Sequence, residues 1–199
     1  MPSFDRIPEM LRMALRKCFE GRPGVVHLDI PENIMNTKVN CEIRFWEPNE
    51  YRMQELPKAS EAQVHRAAQL LKSAKFPIIH AGSGVLHSGA KQELTEVAEK
   101  LQAMVTTSWA GRGAMSEENR LMMPMVHIEA NNNVRNDADV VLVLGSRLGE
   151  TDWWGKAPYW KADQTVIQVD IDPMILGANK PAITISEHST ISLSMIRFV

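Results

Sequence analysis

Val140 to Leu144 is a run of five residues that contains only valine and leucine. A short, wholly apolar run of this kind is typical of a strand that is covered on both faces, as in a parallel sheet. Thr165 to Ile171 is a second, largely apolar run, and between residues 60 and 171 such runs alternate with segments of helical periodicity. The alternation predicts an α/β fold, a parallel-sheet three-layer sandwich of Rossmann-like class with right-handed crossovers.

The other predicted elements of this region follow from apolar spacing and from the residues that flank it. They are a helix that begins after the N-cap Ser60, the strand Phe76 to Ala81, the helix Lys91 to Leu101, the strand Met104 to Ser108, and a helix between Met122 and Asn136. Together they form one whole α/β domain, which we place at residues 59–186.

A separate helix and strand precede this domain. Apolar residues at helical spacing from Ile7 to Cys18 predict a helix, and the β-branched run Val25 to Ile30 predicts a strand that Pro31 closes. One helix and one strand cannot bury their apolar faces alone, so residues 1–40 are interpreted as the remnant of a preceding α/β domain. Residues 41–58 lack a sustained period and are interpreted as a linker.

Composition excludes several classes of function. The net charge of −2 gives no positive field for nucleic acid, and no apolar run approaches the roughly 20 residues of a membrane span. Charged residues interrupt the first twenty positions, so no signal peptide is expected. Cys18 and Cys41 form neither a disulfide framework nor a metal site, which favours a reduced, cytoplasmic setting.

Three loops at the carboxyl ends of predicted strands are the candidate ligand site. The first, Gly82-Ser83-Gly84, follows a strand directly, and its glycines would let the backbone approach a phosphate closely. His87 stands where the dinucleotide fingerprint has its third glycine, so a tight strand-to-helix turn is an equally open interpretation.

The second loop is Gly145-Ser146-Arg147, in which the arginine could pair with a phosphate or form a surface salt bridge. The third is Asp170-Ile171-Asp172, whose carboxylates could accept hydrogen bonds from ribose hydroxyls or only support a turn before Pro173. Because ligands bind beyond the carboxyl ends of parallel strands, the three loops together predict a nucleotide site.

No other group of residues predicts chemistry. The six histidines show no metal-ligand spacing, and no serine or cysteine has the setting of a nucleophile, so no catalytic residue and no metal ligand is named. The aromatic residues between Trp153 and Trp160 are expected to pack a loop against a neighbour. Met122, Met123 and Met125 are expected to fill a core or an interface.

Several segments resemble thiamine-diphosphate-dependent enzymes of the acetolactate synthase type. Gly21 to Pro31 resembles the end of that family's pyrimidine-binding domain, and Pro77 to Gly84 resembles the first strand and loop of its central domain. Thr106 to Glu117, Ala138 to Leu148 and Val166 to Pro173 are similar to later strands and loops in the same order. The resemblance covers about Pro8 to Ile185.

The resemblance implies a division of labour within a longer enzyme. In such enzymes the first domain supplies a glutamate that activates the cofactor, and a Gly-Asp-Gly motif in the third domain holds magnesium and the diphosphate. The central domain contributes a site for FAD or ADP. The present sequence contains no Gly-Asp-Gly. We therefore expect a chain that is inactive alone, whose partners are an adenine nucleotide or flavin and either the missing catalytic domains or a second copy.

Two departures from the family pattern occur. Ser186 to Val199 lacks the Gly-Asp-rich turn that usually follows in the family, so residues 187–199 are interpreted as a divergent tail. Met122 to His127 lacks the glycines that line the flavin in synthase members. The pattern also gives a mutational expectation. Valine at Gly82 or Gly84 should abolish nucleotide binding, whereas Gly111→Ala should matter less.

Overall fold

The computed structural model describes residues 3–40, 42–52 and 58–186 of the chain. The chain divides into two compact units, residues 1–56 and 57–199. Cys41 and the predicted tail at 187–199 lie outside the described residues.

The first unit consists of short helices. A 3₁₀ turn at Phe4–Arg6 leads into helix α1, Ile7–Phe19, and two single-turn helices follow, α2 at Glu32–Met35 and α3 at Pro48–Tyr51. Helix α1 has proline in its first turn and ends before Gly21, which has a φ of 66°. This confirms the helix that the apolar spacing predicts.

The predicted strand Val25 to Ile30 is wrong. The described residues from 23 to 31 are without regular secondary structure, and Val25 is 99% exposed. A β-branched run favours extended backbone, but a strand also needs a neighbour that completes its hydrogen bonds. No strand of the described residues in the first unit supplies one.

Part of the predicted linker is folded within the first unit. Glu47 and Glu50 form a reciprocal capping box at the start of α3. The side-chain Nε of Arg16 donates a hydrogen bond of 2.7 Å to the carbonyl of Tyr51, which ties α3 to α1. The guanidinium of Arg12 also lies 4.1 Å from the ring centre of Trp46. Aromatic and capping residues in this segment thus order a stretch that has no helical or strand period.

The second unit contains a five-stranded sheet in the order β2-β1-β3-β4-β5, and every pair of neighbours is parallel. The predicted parallel α/β fold is confirmed. In chain order the helices and strands are α4 (Glu61–Ser73), β1 (Pro77–Ala81), α5 (Ser83–His87), α6 (Lys91–Leu101), β2 (Met104–Thr107), α7 (Ile128–Asp137), β3 (Val140–Leu144), β4 (Thr165–Asp170) and β5 (Ile183–Ser186).

The sheet is covered on both faces, because alternate residues of its strands join two different apolar clusters. Leu142 and Leu144 pack in the cluster that contains the apolar sides of α4 and α6. Val141 and Val143 pack in the other cluster, with Trp160 and the α7 residue Val134. All five residues of β3 are buried, as its uninterrupted apolar run requires.

Local signals account for the ends of several elements. Ser60 accepts a hydrogen bond from the backbone N–H of Gln63, and the side chain of Gln63 accepts one from the N–H of Ser60, so α4 starts at the predicted N-cap. The short edge strand β5 is an addition to the predicted elements. Among the described residues, no helix is both long and apolar enough to span a membrane.

Asp139 fastens the amino ends of two central strands. Its carboxylate accepts hydrogen bonds from the backbone N–H groups of Lys75 at 2.7 Å and Phe76 at 3.0 Å, immediately before β1, while Asp139 itself precedes β3. We expect Asp139→Ala to lower the free energy of unfolding by about 1 to 2 kcal/mol, because two charge-assisted bonds are lost from a partly solvated site. Urea denaturation measures the loss. Asp137→Ala, at an exposed neighbouring position, is the control, and equal stability of both variants would contradict the assignment.

Candidate functional site

The strand order reverses direction between β1 and β3. From β1 the chain proceeds to β2 on one side of the sheet, whereas β3, β4 and β5 extend from the other side. In a doubly wound sheet of this order, the crevice beyond the carboxyl ends of the first and third strands is the usual ligand site. The topology therefore brings Gly82-Ser83-Gly84 after β1 next to Gly145-Ser146-Arg147 after β3.

The glycines of these two loops pack directly against each other. A Cβ atom on Gly82 would lie 2.2 Å from the carbonyl oxygen of Gly145, and one on Gly84 would lie 2.6 Å from the Cα of Gly145. The N–H of Gly82 donates to Leu144 at 2.8 Å, and the N–H of Gly84 donates to Gly145 at 3.1 Å. The glycines are thus required for the contact between the loops, and two of the N–H groups are already used within the protein.

Arg147 is the positively charged residue of the switch-point loops. Its side chain is exposed, and among the described residues its guanidinium has neither a hydrogen bond nor an ion pair. Its backbone is held instead, because the amide of Asn179 donates to the carbonyls of Arg147 at 2.8 Å and Leu148 at 3.0 Å. A fixed backbone with an open guanidinium can receive an anion such as a phosphate.

Asp170, the last residue of β4, and Asp172 support a turn. Asp170 accepts a hydrogen bond of 3.0 Å from the N–H of Asp172, and Asp172 accepts one of 3.0 Å from the N–H of Met174. Asp170 is buried, and Ile171 and Asp172 are partly exposed. The segment lies beside the second loop, since the N–H of Gly145 donates to Val169 at 2.9 Å. The turn therefore lies at the same edge of the sheet as the second loop, and each carboxylate accepts a hydrogen bond within the turn.

A buried polar group lies under the switch-point loops, and the sequence pattern did not reveal it. His80 in β1, Arg135 in α7 and Asp152 are at most 2% exposed. The Nε2 of His80 lies 3.4 Å from an oxygen of Asp152, and its Nδ1 lies 3.0 Å from the hydroxyl of Thr106. The indole of Trp160 packs edge-on to the ring of His80 at 5.2 Å.

The charges of this buried group compensate one another. Burial lowers the pKa of His80 further than the nearby Asp152 raises it, so the imidazole is neutral at pH 7. Burial would raise the pKa of Asp152, whereas the guanidinium of Arg135 and the hydroxyl of Ser146, which both act beside a neutral imidazole, lower it. The guanidinium of Arg135 stays charged, as arginine does in proteins. The group therefore consists of one carboxylate, one guanidinium and a neutral imidazole.

This arrangement predicts that the second unit loses stability in mild acid. Unfolded His80 takes up a proton below a pKa of about 6.5, whereas the buried imidazole does not. The unfolded state then binds more protons, so stability is full above about pH 6.5 and falls below it, with a slope approaching about 1.4 kcal/mol per pH unit. Thermal midpoints between pH 5 and 8 measure the effect. His80→Gln should flatten the profile, whereas the exposed His87→Gln should leave it unchanged. An unchanged profile in His80→Gln would contradict the prediction.

An open hollow lies on the β2 side of the sheet. It has a volume of about 880 Å³ and is lined by α6 and residues 109–117, including Lys91, Trp109, Arg112 and Glu117. The hollow is open to solvent, and none of its lining residues belongs to the switch-point loops. No group of three or more His, Cys, Asp or Glu able to hold a metal ion occurs in residues 3–40, 42–52 and 58–186.

The fold and the switch-point loops define a parallel α/β domain of Rossmann-like class. Comparison with known proteins gives the family. The sequence profile of the thiamine pyrophosphate enzyme central domain matches residues 64–196. The chain therefore belongs to the thiamine pyrophosphate enzyme family and corresponds to its central domain.

Named relatives point in the same direction. The chain is 32% identical over 189 residues to the acetolactate synthase large subunit of Mycobacterium tuberculosis, covering 90% of this chain and 29% of that protein. It is 32% identical over 176 residues to acetolactate synthase isozyme 3 large subunit of Escherichia coli, covering 85% of this chain and 30% of that protein. The chain thus spans less than a third of the length of these relatives.

A solved structure shares the fold. Benzoylformate decarboxylase from Polynucleobacter necessarius superimposes with a TM-score of 0.77 at 18% identity, covering 100% of this chain and 36% of that chain. At this identity the similarity concerns the fold alone.

Proposed function

We propose that the chain is the nucleotide-binding central part of an acetolactate synthase-like enzyme and that it holds FAD or ADP beyond the carboxyl ends of β1 and β3. The observation that carries the proposal is the order of the sheet. It brings Gly82-Ser83-Gly84, Gly145-Ser146-Arg147 and the Asp170-Ile171-Asp172 turn to one edge, at the switch point where such sheets bind ligands.

Arg147 is the residue that fits the diphosphate of such a ligand best. The guanidinium of Arg147 is exposed, and it can bind phosphate oxygens bidentately. The N–H of Ser83 has no hydrogen-bond partner among the described residues and is the remaining donor of the first glycine loop. The carboxylate oxygens of the turn after β4 are the candidate acceptors for ribose hydroxyls.

Thiamine diphosphate and magnesium belong to the proposed whole enzyme, in which the cofactor would act on a 2-keto acid or another acyl donor as an electron sink. The residues that the structure describes do not fit that group. The described residues contain no set of metal ligands, and the 199 residues contain no Gly-Asp-Gly. We therefore propose that the chain alone has no turnover, and product formation from pyruvate with thiamine diphosphate and magnesium would contradict this.

The absorption spectrum of the purified chain, with mass analysis of any small molecule released on denaturation, tests the ligand. A flavin band supports the synthase-like site, and released ADP supports an adenine nucleotide site. Titration calorimetry with both ligands then gives the affinities for protein that is purified without ligand.

Matched arginine variants locate the site. Arg147→Gln is expected to weaken ADP binding about tenfold or more, because a charge-assisted contact to phosphate is lost. Arg66→Gln, on the exposed side of α4, should bind as the unaltered chain does. If Arg147→Gln binds normally and Arg112→Gln does not, the ligand occupies the hollow beside β2 and the switch-point assignment is wrong.

A second candidate is a vestigial site without a ligand. The observation that favours it is the use of the N–H groups of Gly82 and Gly84 by Leu144 and Gly145, which leaves few free donors in the glycine loop. A colourless protein that releases no nucleotide and shows no heat of binding with ADP or FAD would support this candidate.

The first unit is the proposed contact surface for the catalytic domains of the whole enzyme or for a second copy of this chain. Helix α1 buries none of its residues, and Leu11, Met13 and Phe19 are 42%, 51% and 57% exposed. We expect the chain to self-associate and to bind a hydrophobic dye, because exposed apolar patches of this kind promote association. Light scattering measures the mass, and Leu11→Gln with Met13→Gln should shift it toward the monomer. A monomer that binds no dye would contradict the proposal.

A further inference from the structure

The loop that carries Arg147 contains unusual backbone conformations. Leu148, Trp153 and Trp154 have φ values of 48°, 54° and 55°, in the left-handed region that side chains with a Cβ rarely adopt. Such conformations persist only where the surroundings enforce them, and they occur preferentially at functional sites.

Ser146 enforces the conformation beside Arg147. Its hydroxyl accepts a hydrogen bond of 3.2 Å from the N–H of Leu148 and donates one of 3.2 Å to the carboxylate of Asp152. Its carbonyl accepts a bond of 2.9 Å from the amide of Gln168. Ser146 and Leu148 are buried on either side of the exposed Arg147. These hydrogen bonds therefore fix the backbone on both sides of Arg147.

Asp152 supports this arrangement from the interior of the protein. It is 2% exposed, and its backbone carbonyl accepts a hydrogen bond of 2.8 Å from the indole N–H of Trp160. Its carboxylate lies between the hydroxyl of Ser146 and the ring of His80, with the buried Arg135 as the compensating charge. A buried carboxylate that is balanced in this way costs less free energy than an unpaired one, and its position is tightly defined.

We infer that Ser146 and Asp152 are a positioning pair that holds Leu148 in its left-handed conformation and thereby sets the direction in which Arg147 offers its guanidinium to an anion. The pair contacts Arg147 through the backbone and has no contact with the ligand in this role. The inference rests on the proposed nucleotide site for its purpose, but the arrangement of the loop can be measured without a ligand.

Ser146→Ala tests the pair, because it removes both hydroxyl bonds and leaves all charges in place. We expect the affinity for ADP to fall about tenfold while the affinity for adenosine changes less than about twofold, since only the phosphates use Arg147. A purely structural defect would lower both affinities together. Ser73→Ala, which removes a hydroxyl bond to the carbonyl of Leu70 at the end of α4, is the control.

Asp152→Asn separates positioning from charge balance. The asparagine oxygen can still accept the hydroxyl of Ser146, so the preference for ADP over adenosine should remain at the level of the unaltered chain. The thermal midpoint should fall, because Arg135 loses its counter-charge. Loss of the ADP preference in Asp152→Asn but not in Ser146→Ala would overturn the inference.

Trypsin provides a test without a ligand, because it cleaves after Arg147. In the unaltered chain the fixed backbone should protect this bond, whereas in Ser146→Ala mass spectrometry should show faster cleavage there, with cleavage after the exposed Lys156 as the internal reference. Equal cleavage in both proteins would overturn the positioning pair. If the unaltered chain binds neither ADP nor adenosine, the proposed function fails, and the cleavage after Arg147 still decides the inference.

Discussion

Gly111→Ala is expected to destabilise the second unit by about 3 kcal/mol or more, because the added methyl group has no space. Its Cβ would lie 2.3 Å from the carbonyl oxygen of Ala81 and 3.1 Å from the carbonyl carbon of Gly82. Ala81 ends the central strand β1, and its carbonyl accepts the N–H of Ser108 at 3.1 Å. The clash is therefore with the backbone at the end of an interior strand, which cannot move aside without breaking hydrogen bonds to its neighbours.

Gly82→Val should be at least as damaging, because a Cβ there would lie 2.2 Å from the carbonyl oxygen of Gly145. The φ of Gly82 is −94°, which any residue can adopt, so the loss of stability would come from the steric clash and not from backbone strain. Gly82 and Gly111 both lie against neighbouring backbone. The smaller effect on nucleotide binding expected for Gly111→Ala than for Gly82→Val stays a prediction. Loss of nucleotide binding in Gly82→Val could therefore come from unfolding of the second unit and not from a lost contact to the nucleotide.

Gly149→Ala is the matched control for both variants. A Cβ on Gly149 would lie 3.0 Å from the Nε of Arg147, the far end of a flexible side chain, and its φ of −80° suits alanine. Circular dichroism during urea denaturation compares the three proteins. A midpoint for Gly111→Ala that equals that of Gly149→Ala would contradict the close packing of residue 111 against β1.

The sheet could be predicted because its signals are local. The apolar run of β3 gives its bounds, Val140–Leu144, without error, and Ser60 marks the start of α4. The edge strand β5, Ile183–Ser186, escaped prediction because it has four residues of which one is fully buried. Val25 to Ile30 shows the opposite error, since strand propensity without a partner strand does not form a ladder.

Part of the candidate site could be named from the sequence, because its signals are also local. Glycine and arginine at the ends of apolar strands mark the switch point, so Gly82 and Arg147 were named from sequence. The buried polar group could not be named, because His80, Arg135 and Asp152 are far apart in the chain and meet only in the fold. The only local signal is in α7, where the buried residues Asn131 and Arg135 are four positions apart on one face of a polar helix.

Trp160→Ala is expected to lower the free energy of unfolding of the second unit by about 3 to 5 kcal/mol, the usual cost of removing a buried tryptophan. Trp160 is fully buried, and it packs with Ile78 and Val143 on one face of the sheet. Its indole also lies beside the buried charges, 5.1 Å from the guanidinium of Arg135.

The hydrogen bond and the packing of Trp160 can be measured separately. Trp160→Phe keeps most of the apolar volume but leaves the backbone carbonyl of Asp152 without the indole donor that now lies 2.8 Å away, so it should cost about 1 to 2 kcal/mol. Trp154→Ala, at a position that is 46% exposed, should cost less than either, because little buried volume is lost. Urea denaturation followed by circular dichroism gives the three values. If Trp160→Ala costs no more than Trp154→Ala, the indole does not hold the buried polar group together, and the hydrogen bonds of Ser146, Gln168 and Asn179 support the loop of Arg147 without it.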